Sequence, residues 1–280
     1  MLEKIYTADS VLRFPRRLIR EMKDDIKASF EIAWRLLVRN IRARYRQTML
    51  GYIWVFIPPV FTSLVWVFLK SQNIVGIQDS ETPYAVLVFV GTFLWQVFVD
   101  ALRAPLDMIE SSKLMLTKTR FPRESLIIAG IGEVLFNFIV RLLILIVVFL
   151  WFRLELHATL LLLPLGIFSL VMLGVTLGML LVPCGVLYRD VGYGMVVVTQ
   201  IWFYLTPIVY PTPTSFPASL VAKLNPVSPL IITMRAWIIE GSTGGLATFA
   251  MLSIGICILM LAGWGVYRVA MPHILERVSA

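Results

Sequence analysis

The chain has 280 residues, of which 59% are hydrophobic and 15% charged, and it carries a formal net charge of +8. Soluble domains carry about 25% charged residues, so a chain this apolar has too little polar surface to cover itself and must use lipid as part of its solvent. The positive charge does not point to nucleic acid, because twelve of the 25 Lys and Arg crowd into residues 1–46, as a positive-inside bias requires.

Residues 1–24 are mixed and charged, with Pro15, and such a polar start argues against a cleavable signal peptide. Asp24 and Asp25 then offer a helix N-cap. Apolar residues recur at Ile26, Phe30, Ala33/Trp34, Leu37, Ile41 and Tyr45, with Lys27, Arg35, Arg39, Arg42 and Arg46 on the other side. A basic amphipathic helix carrying Trp and Phe on its apolar stripe is expected to lie in a membrane interface. At its end Arg39, Arg42, Arg44 and Arg46 meet an apolar wall that begins at Met49.

Spanning the hydrocarbon takes about 20 residues. Apolar walls of that order occupy residues 51–69, 84–104, 125–152, 158–187, 192–210 and 246–266. The polar segment 105–124 holds Lys113, Lys118, Arg120 and Arg123, and the tetrapeptide Tyr188-Arg189-Asp190-Val191 separates the fourth wall from the fifth. Residues 211–245 are proline-rich and include an apolar run, 230–239, too short to cross. It reads as part of a re-entrant helical hairpin ending near Gly241. The prediction is an all-α membrane protein with six transmembrane helices, an N-terminal interfacial helix and a re-entrant segment before the last span. It forms one domain over 1–280: a cytoplasmic segment 1–48, a six-span region 49–268 and a cytoplasmic tail 269–280. Nineteen Lys and Arg fall on the side of the termini and the 105–124 loop, against Lys70, Arg153, Lys223 and Arg235 on the other. The termini are therefore expected in the cytoplasm.

No glycine is followed by lysine, so there is no phosphate-binding P-loop. His157 and His273 fall on opposite sides of the membrane, and Cys184 and Cys257 lie inside apolar runs. Neither a metal site nor a nucleophile–base pair can be assembled, so no enzyme chemistry is expected of this chain. Ionisable groups within walls are costly and mark function by default. Asp100 and Arg103, three apart, can pair on one helix face, while Glu133 and Arg141 can join a network with another helix or a second copy. Proton coupling through Glu133 is a further option. Tyr52, Trp54, Phe56, Trp95, Phe98, Trp202 and Tyr204 can face lipid as an interfacial belt, other helices, or a pore that stacks against pyranose rings.

The run Arg44-Tyr45-Arg46-Gln47-Thr48-Met49-Leu50-Gly51-Tyr52-Ile53-Trp54 resembles the permease subunits of type-2 ABC transporters that export polysaccharides or polyol phosphates, such as O-antigen, capsule and teichoic acid. Three further matches follow in order: Phe121-Pro122-Arg123-Glu124, then Arg189-Asp190-Val191, then Thr206-Pro207-Ile208-Val209-Tyr210-Pro211 with Asn225-Pro226-Val227-Ser228-Pro229. The resemblance covers nearly the whole chain from about residue 30. It implies a half-channel in a bacterial inner membrane, completed by a second copy, with two copies of a separate ABC ATPase docked beneath. ATP and Mg would bind that partner, leaving this chain without cofactor or metal. The same resemblance implies a coupling helix over about 109–119, involving Ile109, Lys113, Leu114, Leu116 and Lys118. It makes the basic helix a gate, where Arg39, Arg42, Arg44 and Arg46 would meet either a lipid pyrophosphate or anionic membrane lipids. Tyr52, Trp54, Phe56, Trp202 and Tyr204 become pore-lining candidates. The implied activity is ATP-driven export of a lipid-linked, O-antigen-like glycan. Alternatives are capsule, teichoic acid or a small lipid or drug as cargo, and, further off, a proton-coupled transporter or a membrane-embedded transferase.

Overall fold

The computed structural model describes residues 15–46, 51–76, 83–118 and 122–279. Within them the regular elements are helices. Helix α1, Pro15–Arg46, starts ten residues before the Asp25 that the sequence suggested as a cap. Proline suits the first helical position because its missing N–H is an orphan there anyway. Asp24 and Asp25 are thus interior residues of α1.

The wall after α1 is broken into two pieces. Residues Gly51–Val55 form one 3-10 turn and Ile57–Ser71 form α2, with Pro58 and Pro59 in its first turn. Gly51 sits at φ +50°, where a side chain would be strained. Helix α3, Tyr84–Ser111, continues seven residues beyond the predicted end of its wall, through Pro105. The short α4 is Lys113–Lys118. Helix α5 is Glu124–Phe152, and a 3-10 turn at Ala158–Leu162 leads into α6, Leu163–Leu187. Helix α7 is Asp190–Leu205, α8 is Ala218–Leu224, α9 is Val227–Ile239, and α10 runs Leu246–Ser279, through the stretch expected to be a tail.

Four of these stretches are long and apolar enough to cross a bilayer: Tyr84–Ser111, Glu124–Phe152, Ala158–Leu187 and Leu246–Met271. Helices α2 and α7, at 15 and 16 residues, are shorter than the spans expected of their walls. At 1.5 Å per residue they cover about 23 and about 24 Å.

Helix α3 is the axis of the molecule, buried along most of its length and flanked by α2, α5, α6 and α9. In lipid, helices associate through close packing more than through water release, so small residues mark where they meet. A Cβ on Gly174 would stand 2.9 Å from the Phe98 carbonyl, and one on Gly178 would collide with the Leu102 carbonyl oxygen. These two glycines let α6 lie directly on the α3 backbone. Hydroxyl pairs add polar ties between helices: Ser63 with Thr92 at 3.1 Å joins α2 to α3, and Ser169 with Ser253 at 2.9 Å joins α6 to α10.

Helix α9 packs into this bundle, burying Leu230, Ile231, Met234, Trp237 and Ile238, where a helix lying flat on a surface would expose one side. It ends at Ile239, and Gly241 just beyond it has a φ of +64°, which allows the left-handed turn that closes a helix. The turn before α8 is pinned from three directions. Tyr84 donates its hydroxyl to the Val209 carbonyl at 2.7 Å, Arg235 donates to the Pro207 carbonyl at 3.0 Å, and Asn225 donates to Thr206 Oγ1 at 2.8 Å. Lys70 Nζ lies over the Tyr84 ring, 4.9 Å from its centre. This is the far end of the bundle. At the opposite, basic end, α1 and α4 meet α3, α5 and α10, with Arg268 of α10 paired to Glu124 at 3.2 Å.

Candidate functional site

Two polar stripes face each other beside α1. On α5, Glu133, Asn137 and Arg141 recur every four residues; on α3, Gln96, Asp100, Arg103 and Asp107 recur every three or four. Spacing of three and four keeps side chains on one helix face, so each set forms a line. The lines come together around a cavity of about 270 Å³, lined by Gln96, Asp100, Arg103, Asp107, Glu133 and Asn137, with Arg44 of α1 at its edge.

Arg44 reaches this seam because of its position on α1. Ala33 and Leu36 are buried against α5, and Arg44 follows Ala33 by eleven residues, about three turns on the same side. A Cβ at Gly132 would come within 2.8 Å of Leu37, so α1 approaches α5 closely just before Glu133. Arg44 then pairs with Glu133 at 2.5 Å. Phe30 and Trp34 of the aromatic stripe are exposed, on a different side of α1 from the buried Ala33 and Leu36.

Deeper in the seam, Asp100 Oδ2 accepts from Arg141 Nη1 at 2.7 Å and from Asn137 Nδ2 at 3.2 Å. The expected Asp100–Arg103 pair is therefore replaced by one between helices. Arg141 reaches across from α5 with both a charge and a fork of donors, whereas Arg103 lies on Asp100's own helix and lines the cavity one turn along. Arg141 also donates Nε to the Val55 carbonyl at 3.3 Å, holding the 3-10 turn that opens the first wall. Glu133 and Arg141 do form part of a network with other helices, as expected.

Arg39 goes elsewhere. Its guanidinium contacts Ser112 Oγ at 3.3 Å and Met115 Sδ at 3.5 Å, and the neighbouring Asn40 donates to Met108 Sδ at 3.2 Å. These partners form the corner between α3 and α4. Arg42 is exposed, and the Arg46 side chain lies outside the described residues. Of the coupling-segment residues, Ile109 belongs to α3 and is buried in the core, because α3 runs on to Ser111. The separate helix begins at Lys113, which is exposed; Leu116 is half-buried, and the side chains of Leu114 and Lys118 lie outside the described residues.

The aromatic candidates divide. Tyr52, Trp54 and Tyr204 are exposed on the surface of the chain, while Phe56 is half-buried. Trp202 is an internal strut: it packs edge-on against Trp95 and Phe98 and donates Nε1 to Asn225 Oδ1 at 2.9 Å. Among the described residues no three metal-ligating side chains come together.

Gln96, Asp107 and Asn137 belong to the site and had not been singled out from the sequence. Their signal is the four-residue recurrence of polar groups inside apolar walls. Ser112 and Asn40 had no comparable signal, since their role depends on how α1 lies against the α3–α4 corner.

Long apolar helices around a charged internal seam define a multi-pass helical membrane protein. The sequence pattern of the ABC-2 type transporter family matches residues 32–239, and the chain belongs to that family. It is 27% identical to the O-antigen export system permease protein RfbA of Myxococcus xanthus over 204 residues, 72% of this chain and 77% of that protein. It is also 21% identical over 226 residues to an O-antigen export system permease protein RfbA of Klebsiella pneumoniae, covering 79% of this chain and 85% of that one.

Proposed function

We propose that this chain is the membrane-spanning permease subunit of an ATP-driven exporter that carries a lipid-linked, O-antigen-like polysaccharide across a bacterial inner membrane. The observation that carries the reading beyond family membership is the placement of α1. Arg39 grips the α3–α4 corner, Arg44 enters the seam, and Arg42 stands exposed between them. In this reading one basic helix links the corner where a partner would push to the leaflet where an anionic headgroup would arrive.

In this mechanism the basic end and both termini face the cytoplasm. Two copies of the chain enclose the path, and two ATPase subunits bind ATP and Mg beneath α4. Closure of the ATPase pair moves α4, the Ser112 corner carries the movement to α1, and α1 admits the carrier lipid. Guanidinium groups suit the pyrophosphate because their planar N–H forks match its oxygens and they shed water more readily than an ammonium. The glycan then passes the exposed rings of Tyr52, Trp54 and Tyr204, whose faces suit pyranose stacking.

The test is reconstitution of the chain with its ATPase partner in proteoliposomes, followed by ATP turnover measured against added lipid-linked glycan. Stimulated turnover with glycan appearing on the far side supports the proposal. Turnover that ignores lipid-linked glycans, together with no binding of them, refutes it.

A further inference from the structure

Arg44, the gate cation nearest the seam, is already occupied. Glu133 holds it with the Arg44 side chain 50% exposed and the Glu133 side chain 11% exposed. To a guanidinium, a carboxylate and a phosphate are alternatives: each presents two anionic oxygens spaced to meet the same N–H fork. The surroundings do not favour holding both at once. Asp100, Asp107 and Glu133 already place three carboxylates around one cavity, and a phosphate added beside them would bring like charge into a part-buried space.

The cavity also gives the displaced carboxylate a destination. Arg103 lines the same space as Glu133. Asn137, one turn along α5, is 7% exposed and keeps its Oδ1 buried without a hydrogen-bond partner. Such an orphaned acceptor is costly in a settled site and is what a site with a second arrangement leaves behind.

We propose that Glu133 is an internal stand-in for phosphate: it holds Arg44 until the phosphate of a lipid-anchored substrate takes its place, whereupon the carboxylate moves toward Arg103. The inference rests on the reading of Arg44 as a phosphate-receiving residue. Glu133 acts through Arg44 and is a positioning residue, not one that touches the substrate. The exchange also releases the end of α1 from α5, so arrival of the headgroup and freeing of the gate become one event.

The experiment uses the full chain in phosphatidylcholine nanodiscs, titrated with a fluorescent polyprenyl pyrophosphate and, in parallel, with inorganic pyrophosphate. Removing the competitor in Glu133→Gln is expected to tighten polyprenyl pyrophosphate binding about fivefold, the scale of one part-exposed ion pair. Glu133→Ala, which leaves Arg44 no hydrogen-bond partner at this position, must tighten it as well. Arg44→Ala should weaken binding, and adding Glu133→Gln to that variant should then change nothing. Elution as a single species and co-purification with the ATPase confirm that each variant is assembled.

If Arg44→Ala weakens binding but neither Glu133 variant tightens it, the stand-in is overturned while the reading of Arg44 survives. If Arg44→Ala binds like the parent protein, that reading fails and takes the proposal with it. An equal shift for inorganic pyrophosphate assigns the exchange to a soluble anion and overturns the lipid source.

Discussion

Helix α5 holds the chain on both sides of residues 47–50, and the two grips differ in kind. Before that link, Glu133, with its side chain 11% exposed, holds an Arg44 side chain that is 50% exposed. After it, the Arg141 side chain, 7% exposed, is enclosed between Asp100 and the Val55 carbonyl. Exposed ion pairs contribute about 0.2–1 kcal/mol, because neighbouring water and mobile ions replace what is lost. Severing a buried pair costs about 3–5 kcal/mol, because the surviving charge stays out of water with no partner. On the reading of Arg44 proposed above, the same kind of bond is a release catch at one end of the stripe and a fixture at the other, according to how far the guanidinium is buried.

The largest effect should come from the fixture. Arg141→Ala is expected to cost about 3–5 kcal/mol, read as a fall in melting temperature or loss of monodisperse protein in detergent. The double variant Arg141→Met with Asp100→Leu should recover most of it, since an apolar pair of similar size leaves no buried charge. A double variant as unstable as the single would mean that the stranded Asp100 charge is not the cause.

The far end supplies a second fixture for comparison. Asn225 accepts from Trp202 Nε1 and from the Val227 N–H, and donates to Thr206, all from a buried position. Asn225→Ala should cost about 1–3 kcal/mol through the donors left unmet, visible as a lower melting temperature with α1 unaffected.

Smaller changes are expected on α1. Arg39→Ala should alter stability by about 1 kcal/mol or less, yet reduce substrate-stimulated ATP turnover while the ATPase still binds. Stimulation equal to that of the parent chain would separate Arg39 from transmission. Arg44→Ala removes a guanidinium half open to the surroundings but leaves a part-buried Glu133 unpaired, so its cost should fall below that of Arg141→Ala, and it should be recognised by lost export rather than by lost fold.

Much of this architecture is legible in the sequence, because lipid imposes long apolar runs. The cores of α3, α5, α6 and α10 fall where hydropathy puts them. The ends of helices are less legible. Pro105 and the polar residues after it resemble a stop, yet α3 continues because Met108 and Ile109 are buried by its neighbours. Tertiary packing supplied what local propensity withheld. Within the site, the charged residues were visible singly and their partners were not. Asp100 has Arg103 three residues away and takes Arg141, forty-one residues away in sequence, since the choice is made by how α3 faces α5. Trp202 carries the composition of a pore residue and serves as a strut, for which Asn225 had to be seen beside it.

The pinning of the far end sets the geometry of any movement. Helix α3 begins at Tyr84, tied to the Val209 carbonyl, and after a length of 28 residues ends beside the Ser112 corner. At 1.5 Å per residue that is a rod of about 42 Å. Hinged at Tyr84, it needs a swing of only about 5° to carry its other tip about 4 Å, roughly the breadth of a phosphate group. A small rotation at the pinned end is thus amplified along the shaft into a larger stroke at the Ser112 corner, where Arg39 of α1 is bonded.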